Sequence, residues 1–91
     1  MTANVFISGF VQGVGFRQFV KNTAKKFGLK GWVKNLNDGR VEAEFYGDKE
    51  IIEKAVESLW KGNFLSGVKS IDIEWIDKDE KDYSDFVILR G

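Results

Sequence analysis

From Arg40 to Tyr46 the chain alternates: Val41, Ala43 and Phe45 are apolar, and Arg40, Glu42 and Glu44 between them are charged. A period of two predicts a strand with one buried face and one wet face. The pattern changes elsewhere. Phe16, Phe19, Val20, Thr23, Ala24 and Phe27 recur at spacings of three and four, as do Ile51, Ile52, Ala55, Val56, Leu59 and Trp60. Each set is the buried stripe of an amphipathic helix. The first helix is expected from about Phe16 to Phe27, with Gly28 as its stop. The second begins after Asp48, a good N-cap, carries Glu50–Lys54 and Glu57–Lys61 pairs on its wet side, and closes at Gly62. Further strands are expected at Asn4 to Phe10, Lys30 to Asn35, Val68 to Ile76 and, short, Phe86 to Arg90. Asp38-Gly39 marks a hairpin turn between the second and third, and Asp77 to Asp82 a charged, solvated turn.

This order is βαββαβ plus a final strand. Each helix has one apolar stripe and the sheet has one clearly apolar face, so two layers suffice. The expected fold is α+β: a ferredoxin-like two-layer sandwich, an antiparallel sheet with two helices on one face. In that arrangement the first two strands are parallel with the third between them. Their C-terminal ends then lie together, as does the end of the last strand. A single domain over residues 1–91 is expected, with no repeat or linker.

Composition narrows the chemistry. Fourteen basic and 14 acidic residues balance, so any recognition of an anion must be local, and neither nucleic acid nor a membrane surface is an expected partner. There is no Cys and no His. Thiol nucleophiles, thiolate metal sites, imidazole general bases and His-containing triads are excluded. The N-terminus reads as a strand rather than a leader, and a cytoplasmic monomer without cofactor or metal is the expectation.

The chemistry therefore concentrates at Gly9-Phe10-Val11-Gln12-Gly13-Val14-Gly15-Phe16-Arg17. An apolar strand runs into closely spaced glycines and then directly into a helix that no Ser, Thr, Asp or Asn precedes. The first amides of a helix have no partner within it, and here no side chain caps them. Converging free amides at the positive end of a helix form an anion site. Arg17 in the first turn is unfavourable by up to about 1 kcal/mol unless an anion binds there. The spacing is neither a Walker A loop nor a dinucleotide fingerprint, whose third glycine would fall at Gln18. Topology brings Asn35, at the end of the second strand, to the same place. An amide cradle, one guanidinium and one carboxamide suit a substrate whose leaving group departs unprotonated. An acyl phosphate is such a substrate, since its leaving carboxylate has a conjugate acid of pKa about 4. Asn35 cannot act as a base, but can orient water.

The first segment is similar to the G-x-V-Q-G-V-x-F-R signature of the acylphosphatase family. Gly31-Trp32-Val33-Lys34-Asn35-Leu36-Asn37-Asp38-Gly39-Arg40-Val41 resembles its G-[FWY]-V-x-N-x-x-x-G-x-V signature. The resemblance implies metal-free hydrolysis of the carboxyl–phosphate bond of a small-molecule acyl phosphate, without a covalent phosphoenzyme. It implies phosphate binding by Arg17 and by the loop Gln12, Gly13, Val14, Gly15 and Phe16, and water positioning by Asn35. Inorganic phosphate is then product and inhibitor. Leu36 replaces a hydroxyl residue common in the family, and the chain ends on Gly91 rather than an aromatic.

The same residues admit other readings. A non-catalytic phospho-ligand sensor would share the loop but not need Asn35. An RNA-binding βαββαβ domain would need a basic, aromatic open sheet face. A detached domain of a hydrogenase-maturation protein is less in keeping with the self-contained length. Trp32, Trp60 and Trp75 are expected in packing. A last strand parallel to the first two would end near the site, which leaves room for a contact between the Gly91 carboxylate and Arg17.

Overall fold

The computed structural model describes residues 1–63, 66–77 and 84–90. Its elements are β1 (Thr2–Phe10), α1 (Phe16–Lys26), β2 (Lys30–Asn35), β3 (Val41–Tyr46), α2 (Lys49–Leu59), β4 (Gly67–Ile76) and β5 (Phe86–Ile88). The five-stranded sheet has the order β4-β1-β3-β2-β5. β1 pairs antiparallel with β3 and β4, and β2 pairs antiparallel with β3, as the expected ferredoxin-like arrangement implies. β5 makes the sheet mixed, because it runs parallel to β2 with Val33 opposite Ile88.

Alternation decides which face is dry. Ala3, Val5 and Ile7 of β1, Val33 of β2, Val41, Ala43 and Phe45 of β3 and Phe86 of β5 are buried under the helices. They meet Phe16, Val20 and Ala24 of α1 and Ile52, Ala55, Val56 and Leu59 of α2 in one core. The Phe45 and Phe86 rings stack with centroids 5.4 Å apart, joining a central strand to the β5 edge. The one polar residue in the buried stripe of α1, Thr23, is satisfied locally: its hydroxyl donates to the Phe19 carbonyl at 2.9 Å. On the opposite face Asn4 is flanked by Glu44 and Glu74, and Phe6 by Glu42 and Asp72. Four carboxylates on the open face disfavour a nucleic-acid backbone there.

One expectation on the helix side changes. Trp60 is not part of the α2 stripe. It is the C-cap of the helix and is 49% exposed, because the last intact helical turn ends at Leu59. Ile73, although on the core side of the sheet, remains partly exposed, because β4 is an edge strand. The expected turn at Asp77 to Asp82 falls mostly outside the described residues.

What the fold does for function is set by strand direction. β1 and β2 both run antiparallel to β3 and are therefore parallel to one another, and β5 follows β2. Their C-terminal ends share one edge of the molecule. The β1–α1 loop, Asn35 and Arg90 are all delivered to that edge.

Candidate active site

The loop from Val11 to Gly15 has no regular structure, and Gly15 is the N-cap of α1. Gly13 and Gly15 have φ of 74° and 76°, in the left-handed region where a side chain is strained. Two such residues around Val14 bend the backbone sharply just before the helix, and turn conformations of this kind can present successive amides to an anion. No side chain caps α1 and its first turn has no acidic residue. The first helical backbone bond runs from the Phe19 amide to the Gly15 carbonyl, at 3.1 Å. The amides from Gly13 to Gln18 have no hydrogen-bond acceptor among the described residues. The uncapped helix mouth read in the sequence is thus present.

That mouth opens onto a cavity of about 190 Å³ lined by Val11, Gly13, Gly15, Phe16, Arg17, Gln18, Asn35, Ile88 and Arg90. Arg17 and Asn35, 18 positions apart in the chain, are brought to one wall. Among the described residues, neither Arg17 nor Arg90 is ion-paired, and the wall contains no carboxylate. Two guanidiniums and the positive end of α1 therefore act together on whatever enters, with no carboxylate of the described residues on the wall to offset them. The wall also lacks any Ser, Thr, Tyr, Lys, Asp or Glu among the described residues, so it offers no side-chain nucleophile and no general base.

Asn35 ends β2, paired with Val41. Its Oδ1 is buried and has no hydrogen-bond partner among the described residues. A buried carboxamide oxygen without a protein donor is costly unless a ligand or water supplies one. The position beyond it is fixed by the β2–β3 turn, in which the Leu36 amide donates to the Arg40 carbonyl at 2.8 Å and the Gly39 amide to the Leu36 carbonyl at 3.2 Å. Asp38 ties that turn. It accepts from the Arg40 backbone amide at 3.0 Å and from the Arg40 guanidinium Nε at 2.8 Å, and these bonds, the backbone one foremost, hold its carboxyl below the usual carboxylate range.

Gln12 and Val14 were expected in the phosphate cradle, but neither lines the cavity. The Gln12 side chain turns away and donates its Nε2 to the carbonyls of Leu36 and Arg40, both at 2.8 Å. It staples the loop carrying Arg17 to the turn that follows Asn35. The Val14 carbonyl accepts from Asn63 Nδ2 at 2.6 Å. Gln18 and Ile88 join the wall without having been foreseen. Gln18 follows from the helical geometry of the first turn, and Ile88 from the parallel pairing of β5. Arg90 stands at the expected edge, and Gly91 lies outside the described residues.

An uncapped helix mouth, two guanidiniums without an ion partner among the described residues and a carboxamide on a ferredoxin-like sandwich define a small α+β protein with a cavity suited to an anion. Comparison with known proteins makes the class specific. The family model for acylphosphatase matches residues 3–88. An acylphosphatase from Roseiflexus sp. (strain RS-1) is 47% identical over 73 residues, which are 80% of this chain and 78% of that protein. Among solved structures, acylphosphatase from Bacillus subtilis superposes with a TM-score of 0.93 at 36% identity, covering 98% of each chain. An acylphosphatase from Coxiella burnetii gives 0.89 at 41% identity, covering 97% of this chain and 90% of that one. The chain belongs to the acylphosphatase family.

Proposed function

We infer that this chain hydrolyses the carboxyl–phosphate bond of acyl phosphates, giving a carboxylate and inorganic phosphate by direct attack of water. The observation that carries the reading is the composition of one cavity wall: Arg17, Asn35 and the unpaired mouth of α1 together, with no nucleophilic or acid–base side chain among the described residues. Such a wall suits phosphoryl transfer that needs positioning and charge stabilisation rather than a proton donor.

In this mechanism the amides of Gly13, Gly15, Phe16 and Arg17 and the Arg17 guanidinium hold the oxygens of the phosphoryl group, charge-assisted and bidentate at the guanidinium. As the bond to the acyl oxygen breaks, negative charge moves onto the leaving carboxylate, while these donors keep the phosphoryl oxygens in place for in-line attack. The Asn35 carboxamide hydrogen-bonds the attacking water and aligns it opposite the leaving carboxylate. The carboxylate leaves without protonation. The water's proton passes to a phosphoryl oxygen, because the wall has no base to take it. Arg90 adds to the attraction for the anion from the rim.

Hydrolysis of an aryl acyl phosphate, followed by loss of ultraviolet absorbance, tests the reading in one assay. Turnover that persists in excess chelator and is inhibited competitively by inorganic phosphate is the expected result. Tight phosphate binding with no turnover would instead identify a sensor.

A further inference from the structure

The phosphate nest is held from a distant segment of the chain. Asn63 lies beyond the C-terminus of α2, 49 positions from Val14, and its Nδ2 donates to the Val14 carbonyl at 2.6 Å. A carbonyl can only accept, so this contact also fixes which end of the Asn63 carboxamide faces the loop. Asn63 is anchored in turn. Its backbone amide donates to the Ser66 hydroxyl at 2.9 Å, and its carbonyl accepts from the Ser66 amide at 3.3 Å. Its Oδ1 is buried with no partner among the described residues, so the side chain bears a desolvation penalty that an apolar residue would not.

The bond bears on the cradle through the planarity of one peptide. The Val14 carbonyl and the Gly15 amide belong to the same trans unit, and trans geometry points them in opposite directions. Drawing the carbonyl outward to Asn63 therefore turns the Gly15 N–H the other way, toward the cavity that Gly15 lines. Local sterics do little to keep it there. Gly15 accepts either sign of φ, so rotation of this peptide meets no Cβ barrier on its C-terminal side. A flipped peptide would present the Val14 oxygen to the phosphoryl group and withdraw a donor.

We propose that Asn63 is a positioning residue for catalysis: by holding the Val14 carbonyl, it keeps the Gly15 amide pointed at the bound phosphoryl group. This rests on the acyl phosphate reading of the cavity. Because the amide contacts phosphate equally in substrate and product, its loss should raise KM and the phosphate Kd together and leave kcat nearly unchanged.

The test uses Asn63→Ala and the near-isosteric Asn63→Asp. Phosphate affinity is measured by titration of 15N-labelled protein with inorganic phosphate, with hydrolysis kinetics and thermal unfolding alongside. In the wild type the Gly15 amide proton is expected to shift on phosphate addition. In Asn63→Ala the phosphate Kd and KM should weaken about tenfold or more, the size expected for one hydrogen bond to a charged group, with kcat within about threefold. Asn63→Asp should be at least as weak near neutrality, where its carboxylate repels the Val14 oxygen. Relative to wild type at each pH it should recover below about pH 4, where the protonated acid can donate. A variant that is merely less stable would show no such pH-dependent recovery. Unchanged phosphate Kd in folded variants of an active wild type would overturn the proposal alone, as would a Gly15 amide insensitive to phosphate. A wild type that neither binds phosphate nor hydrolyses acyl phosphates would overturn the functional reading beneath it as well.

Discussion

Replacing Gln12 with Met separates the two halves of the site. Met has nearly the same length but no donor, so Gln12→Met deletes the two 2.8 Å bonds to the Leu36 and Arg40 carbonyls and little else. A net hydrogen bond is worth about 0.5–1.5 kcal/mol, which places the pair between about 1 and 3 kcal/mol. Both carbonyls keep a second partner within the turn, from Gly39 and Leu36, so neither is left orphaned and the lower half of that range applies. For a domain of this size each kcal/mol lowers Tm by roughly 4–8 °C. The protein should therefore stay folded at room temperature, and any kinetic change then reports geometry. The loop keeps its second tie, from Asn63 to Val14, so phosphate affinity should change by less than about threefold. The turn after Asn35 loses its tether to the loop, and a misplacement of about 1 Å can cost on the order of a hundredfold in rate. Thermal unfolding, phosphate titration and kcat on an aryl acyl phosphate are the three readouts. A lowered Tm, near-normal phosphate binding and kcat reduced ten- to a hundredfold are expected. Lowered Tm with unchanged kcat would mean that Gln12 only supports the hairpin. An equal fall in phosphate affinity and kcat would mean that nest and carboxamide are not held separately.

Gly15→Ala should destabilise the fold by about 1–2 kcal/mol, because φ of 76° is a left-handed conformation that a Cβ disfavours, and should also weaken phosphate binding as the nest distorts. Equilibrium denaturation and phosphate titration check both effects, and a variant as stable as wild type would contradict the backbone assignment. The stability difference between wild type and Asp38→Asn should depend on acid. The Asp38 carboxyl is held below its ordinary range by the Arg40 amide and guanidinium, so its contribution is present above about pH 4 and is lost as pH falls through the lower folded value. Denaturation curves of the two proteins should converge at low pH. Turnover should vary little between about pH 5 and 8 apart from the titration of phosphate itself, because no carboxylate, imidazole or amine lines the cavity among the described residues. A steep bell-shaped kcat profile there would point to an unrecognised acid or base.

Strand alternation, helix stripes and glycine punctuation lay open in the sequence, because each is a local consequence of geometry. β2 spans the expected Lys30–Asn35, and the uncapped start of α1 was visible from what does not precede Phe16. The meeting of Arg17 and Asn35 needed one topological step, the parallel relation of β1 and β2. What stayed hidden is what tertiary contact decides. Trp60 continued the apolar stripe on paper, but the helix ended one residue earlier. Gln12 sat inside the motif and looked like part of the cradle, whereas its side chain reaches residues 24 and 28 positions away. Asn63 carried no local signal, since an Asn after a helix is an ordinary turn residue. Only the tertiary contact between Asn63 and the Val14 carbonyl gives it a partner.

The central claim is a division of labour, in which the guanidinium and amides grip the phosphoryl group while the carboxamide aims water at it. The direct measurement is inorganic phosphate affinity and acyl phosphate turnover in Arg17→Ala and Asn35→Ala, side by side with wild type. The account predicts that Arg17→Ala loses both, and that Asn35→Ala binds phosphate nearly as wild type does while its turnover falls by at least about a hundredfold. An Asn35→Ala protein that turns over at the wild-type rate would contradict it.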